Sequence, residues 1–181
     1  MSLLAEVVVE EWLNRQGYFT IRNIRIGNDE IDLLAVRPLP NGSVEQRHIE
    51  VQASVQPISY ISRKNAKKVG AEELTASVKE WVHKKFDKEN KQQQRASLGT
   101  GNWSRELVIN QVKSEDEVAL ICQQGINVLR LADIVKELRD MDTVVKKAAG
   151  ADLLELVHLA SHDNQNAVEE TLLVAEATLS L

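Results

Sequence analysis

Glu30 and Asp32 lie two residues apart in "GNDEIDLLAV" (27–36), and Glu50 and Gln52 lie two apart in "HIEVQAS" (48–54). Both runs otherwise read as core strands, so acidic residues inside them need a reason. Alternate side chains of a strand share a face. Glu30, Asp32, Leu34 and Val36 therefore share one face, and Glu50, Gln52 and Ser54 share another. If 30–37 and 44–54 pair as a hairpin, Asp32 and Glu50 stand side by side. Two ionised carboxylates at that range repel unless a positive charge sits between them. A divalent cation is the usual remedy. Mg²⁺ accepts one or two carboxylates and completes its shell with water and phosphate oxygens. Held there, it would acidify water and neutralise charge on a phosphodiester. The alternation by itself is more often the pattern of a solvated polar hairpin face. Two features add weight to the metal reading. Glu6, Glu10 and Glu11 sit in the helical segment just before, and a basic stretch follows the strands.

The elements that must position these groups follow from periodicity. Leu4, Val7, Val8 and Trp12 fall at helical spacing, with Ser2 as N-cap and Gly17 at the stop, and predict a helix over 3–16. Strands are predicted over 18–26, 30–38 and 44–54, joined by short turns that include "LPNGS", which makes an antiparallel meander. Beyond Pro57 the period changes. Leu74, Val78, Trp81 and Val82 stripe one long polar helix over 71–94. A loop (99–104), a strand (106–112), a helix (114–125), a strand (126–131) and a helix (132–140) complete the core. Ser114 and Glu117 read as a capping box, and Gly125 ends that helix. Strand–helix–strand order implies a parallel pair with a crossover. The acidic, aliphatic stretch 141–181 reads as a helical C-terminal extension of the same domain.

Composition bounds the answer. The chain has 181 residues, 43% hydrophobic and 27% charged, enough for one domain with a real core. No apolar run is long enough to span a membrane. The start "MSLLAEVVVEEWL" is acidic and is not a secretory leader, so cytoplasmic residence is expected. The single cysteine, Cys122, excludes an intramolecular disulfide and reads as a small buried hydrophobe. Net charge is −5, yet residues 60–95 hold ten Lys/Arg against five Asp/Glu. That local excess suits a phosphate backbone. Within it, Tyr60 and the "SRKNAKK" run (Arg63, Lys64, Lys67, Lys68) are the expected nucleic-acid contacts, with a solvated loop as the alternative.

Other candidates carry less. His158 and His162 stand one helical turn apart but lack the glutamate of a metalloprotease helix. "GTGNW" lacks the Lys-Ser/Thr of a P-loop. Trp103 is better explained as a loop anchor than as a base-stacking platform.

The helix glutamate, "GNDEIDLLAV" and "HIEVQAS" together resemble the PD-(D/E)XK superfamily of restriction-endonuclease-like nucleases, in its Holliday-junction-resolvase-like or Mrr-like branch. The resemblance covers about 1–140. It implies a mixed α/β fold with an αβββαβ restriction-endonuclease-like core. It further implies a DNA endonuclease using Mg²⁺ or Mn²⁺, with Asp32, Glu50, Glu6 and the Val51 carbonyl as metal ligands. Gln52 stands where the family usually has lysine, and is expected to orient the attacking water. An amide cannot offset anionic charge; if charge is needed, Lys64, Lys67 or Lys68 could supply it, although surface lysines are more often merely solvated. Many relatives cut as dimers, which brings a homodimer into view. The alternatives are an inactive nuclease-fold module that binds nucleic acid, and a scaffold that binds proteins through the acidic tail.

Overall fold

The computed structural model describes residues 3–54, 58–62 and 70–141. It divides the chain into two compact units, Met1–Ile134 and Val135–Leu181. Of the predicted extension over 141–181, residues 142–181, with His158 and His162, lie outside the described residues.

The first unit is built on a five-stranded mixed sheet in the order β1-β2-β3-β4-β5. Helix α1 spans Leu3–Arg15, and strands β1 (Phe19–Ile26), β2 (Asp29–Pro38) and β3 (Val44–Gln52) follow. They form the expected antiparallel meander. After α2 (Ala71–Val82), a π-helical turn (His83–Asp87) and α3 (Glu89–Leu98), the chain returns as β4 (Trp103–Ile109), parallel to β3. Helix α4 (Glu115–Gln123) carries it to β5 (Asn127–Arg130), parallel to β4, and α5 spans Leu131–Asp140. The predicted parallel crossover is thus present, and parallel crossovers of this kind need a helix on the sheet face.

Both faces are covered. Neighbouring strand residues point opposite ways, so Arg47 and His48 mark the two layers. The Arg47 guanidinium lies over the Trp12 ring of α1, 4.9 Å from its centroid. The His48 ring meets Phe86 of the π-turn with centroids 4.8 Å apart. On that second face Val78, Trp81, Val82 and Phe86 pack with Leu107, Ile109, Val118 and Ile121. Each such side chain contributes about 1.5–3 kcal/mol by leaving water.

Several expectations change. The long helix over 71–94 is broken: Lys88 adopts an extended conformation (φ −57°, ψ 140°). Its side chain and that of Asn90 are drawn instead to Asp29 in the β1–β2 turn region. Those tertiary bonds hold the break where helix periodicity predicted none. The stripe of α1 is rotated. Ala5, Val8, Val9, Trp12 and Leu13 are buried, whereas Leu4 is 64% exposed. Cys122 is exposed, because the core-facing residues of α4 are Val118 and Ile121. Strand β3 ends at Gln52 rather than 54, and β4 covers 103–109 rather than 106–112. Ser114 caps α4 as expected, accepting from the Glu117 amide. The Glu117 carboxylate does not close the box. It accepts the Ile61 and Ser62 amides and so anchors 58–62 against α4.

Candidate active site

The β2–β3 ladder opens where the acids are. Its pairs run from Pro38↔Val44 to Leu33↔Ile49 and stop there. Beyond that point β2 continues against β1 alone, as far as Ile26↔Asp29, and β3 continues against β4 alone, as far as Gln52↔Ile109. Asp32 and Glu50 are the first residues of the opened fork. Asp32 Oδ2 fills the gap by accepting the Val51 amide at 2.7 Å, a bond that a ladder carbonyl would otherwise take.

Glu50 is 1% exposed and ringed by cations. Its Oε2 accepts from Lys85 Nζ at 2.6 Å. Its Oε1 accepts from Lys91 Nζ at 2.9 Å and faces His48 Nε2 at 3.1 Å. Arg95 Nη1 approaches His48 Nδ1 at 2.6 Å. Arginine only donates, so Nδ1 is the acceptor, and neutral His48 donates from Nε2 to Glu50. Burial, with Arg95 and Lys91 nearby, holds His48 below its usual pKa, against the pull of Glu50. Burial alone would raise Glu50. The His48 bond and the Lys85 and Lys91 charges win instead and bring it to about 2.

Asp32 has the opposite fate. Burial first, then the Glu50 charge, push its pKa up to about 7. Lys85 and the Val51 bond oppose this, and Glu6 adds a smaller push in the same direction. Two neighbouring carboxylates thus titrate far apart, as at sites that assign different protonation roles to paired acids. Lys85 loses some preference for its charge by burial, yet Glu50 and Asp32 hold it above the ordinary lysine range.

The lysines are placed by the π-turn and the break after it. A π-turn inside a helix often marks a functional site. Here it carries Lys85 and Phe86. Lys91, from α3, donates to the Lys85 carbonyl at 2.8 Å as well as to Glu50. One buried ammonium therefore fixes both the carboxylate and the backbone that presents the other ammonium.

Of the residues expected from sequence, Asp32, Glu50 and Val51 come together. Glu6 is buried from the α1 layer, its Oε2 has no hydrogen-bond partner among the described residues, and its charge is felt at Asp32. Gln52 is on the Glu50 face, but its amide donates to the Ile61 carbonyl at 3.3 Å and tethers 58–62. Tyr60 is half-buried in that tethered segment. Arg63, Lys64, Lys67 and Lys68 lie outside the described residues. The sequence reading missed Lys85, Lys91, His48 and Arg95. The first two and Arg95 belong to the basic excess of 60–95, and that excess was the only local signal.

Among the described residues, no three His, Cys, Asp or Glu side chains converge into a ready-made metal cage. Mg²⁺ does not need one, since one or two carboxylates suffice when water and phosphate complete the shell. An all-oxygen set, one carboxyl held near neutral pKa by burial and then by its neighbour's charge, and a buried Glu6 oxygen without a partner among the described residues fit a hard divalent cation.

No helix among the described residues is long and apolar enough to cross a membrane. No family model matches the chain, and no curated protein matches it. Among solved structures it is similar to a protein of unknown function designated AF1548. The match has 18% identity and a TM-score of 0.45 over 86% of this chain and 77% of that one.

Proposed function

We propose that this chain is a metal-dependent endonuclease of the PD-(D/E)XK type that hydrolyses phosphodiester bonds in DNA. The observation that carries the reading is the fork at Asp32 and Glu50, where Asp32 accepts the Val51 amide and burial first, then the Glu50 charge, drive its carboxyl to about 7. Asp32, Glu50, the Val51 carbonyl and Glu6 are the residues that would hold Mg²⁺ or Mn²⁺. The bound ion supplies Lewis acidity toward water and phosphate oxygen.

The chain's own groups do the rest. Lys85 brings a permanent positive charge to the rim of the fork, the charge that Gln52 cannot supply. Lys91 and His48 keep Glu50 ionised and oriented. Gln52 positions 58–62, and so orders Tyr60, the first of the residues assigned to the DNA backbone (Tyr60, Arg63, Lys64, Lys67, Lys68). Cytoplasmic residence and a homodimer belong to the same reading.

Plasmid and branched DNA incubated with Mg²⁺ or Mn²⁺ test this. Wild-type protein should cut, and Asp32→Ala should lose on the order of 10²–10³-fold, the cost of removing one stabilising group. Equal cutting by both would remove Asp32 from the mechanism. The second reading, a nuclease-fold module that binds without cutting, has its own support: both oxygens of Glu50 already have cationic partners. It predicts salt-dependent DNA binding with no metal-dependent cleavage.

A further inference from the structure

The two lysines at Glu50 are not equivalent. Lys91 is 2% exposed and donates twice, to Glu50 Oε1 and to the Lys85 carbonyl. Lys85 is 33% exposed, and Glu50 Oε2 is the one hydrogen-bond partner its ammonium has among the described residues. Oε1 is thus committed to the interior, through Lys91 and His48. Oε2 is committed only to a long side chain at the rim.

We propose that Lys85 is an exchangeable counter-ion: its ammonium holds Glu50 Oε2 in the metal-free protein, and an incoming divalent cation takes that oxygen and releases the ammonium toward substrate phosphate. This rests on the metal reading above and adds how the site is loaded. The physical case is competition for one oxygen. A lysine ammonium 2.6 Å from Oε2 occupies the space in which a cation would bind it. A divalent charge beside Oε2 would also repel an ammonium still in contact. Glu50 stays oriented through the exchange because Lys91 and His48 do not move with Lys85. The replacement of one positive charge by two suits the surroundings. Glu6 Oε2 is buried without a partner among the described residues, and Asp32 lies beside Glu50 in the opened ladder. The freed ammonium, four methylenes from a fixed backbone, can then meet a phosphate oxygen. Metal loading would thus switch on the recognition of the anion to be cut.

Mn²⁺ titrated calorimetrically into the full chain tests the exchange in wild type, Lys85→Met and Lys84→Met. Lys84 is an exposed neighbour that carries the same charge without touching Glu50. Lys85→Met should bind Mn²⁺ about tenfold tighter, within the usual range of coupling between two ligands. Lys84→Met should change affinity by less than about twofold, as expected for a screened surface charge. Equal gains in the two variants would reduce the effect to a general field and overturn the exchange, and so would no gain in Lys85→Met. A wild-type experiment guards against misfolding of the variant: the Lys85 ammonium nitrogen signal should shift in proportion to Mg²⁺ saturation. A signal unchanged at saturation overturns the proposal. Binding with equal affinity by all three proteins sinks the exchange alone, whereas no binding by any of them sinks the metal reading with it.

Discussion

Strand β3 carries two buried charge systems, on adjacent stretches and opposite faces, and they are built on different plans. Toward α1, Arg47 and Glu106 form a closed two-point pair. Ser104 takes up a remaining lone pair of Glu106, and the guanidinium stacks over Trp12 and Tyr18. Charges match one to one, and the partners sit at neighbouring strand positions. Toward the π-turn, Glu50 has two lysines and a histidine for one carboxylate, and Asp32 beside it is held near neutral pKa. A closed pair fixes structure. A cluster with surplus partners and a reluctant acid retains chemistry that can be redirected. Both are buried, so burial does not separate them; the match between charges does.

The largest expected effect lies in the closed pair. Arg47→Met leaves Glu106 buried without its cation, and should cost about 3–5 kcal/mol in urea unfolding. Added Mg²⁺ should not restore it. Recovery with Mg²⁺ would erase the distinction between the two systems.

Next comes the pH response of the open cluster. Asp32 has its folded pKa raised from 3.8 to about 7, so the native state binds the proton more tightly than the unfolded chain. Stability from this group is full below its unfolded pKa and is lost as pH rises toward 7. Glu50 is lowered from 4.5 to about 2, so its contribution is present above the unfolded value and is lost as pH falls toward 2. Together they place a maximum near the unfolded carboxylate values in metal-free protein. Thermal melts across this range should show the fall on the alkaline side vanish in Asp32→Asn. A fall that persists unchanged in that variant would assign it to other groups.

A smaller effect, of opposite sign to the first, follows. Asp32→Asn keeps an acceptor for the Val51 amide and removes the unfavourable charge. It should stabilise metal-free protein at pH 8 by about 1–2 kcal/mol, part of the linkage free energy of the shift. Loss of stability there would mean that Asp32 belongs with the structural pairs. The least effect is expected from Gln52→Ala. It loses one tether to Ile61, worth about 1 kcal/mol. DNA cleavage should change by less than about tenfold, because the nearby positive charge comes from Lys85. A loss as large as that of Asp32→Ala would return Gln52 to the centre of the site.

Much of the framework was legible because strand alternation is local. Alternating residues in 18–38 and 44–52 gave the meander, and the Asp32 and Glu50 spacing gave their nearness. The tethers were not legible. Lys88 leaves the helix because Asp29, 59 residues earlier, draws its ammonium. Glu117 abandons a capping box to hold two amides 55 and 56 residues away. In both cases a long-range hydrogen bond outcompetes a local preference worth roughly 1 kcal/mol.

The sequence alone determined which acids share a strand face, since a period of two admits no other arrangement once the strands form. It also determined that cations were abundant just downstream. Tertiary structure decided which cations matter. Only the break at Lys88 and the π-turn before it bring Lys85 and Lys91 onto Glu50. Only the end of the β2–β3 ladder opens room for them, because a side chain replaces a backbone partner where the two strands part. Those choices are made by contacts between residues far apart in the chain, which no local pattern encodes.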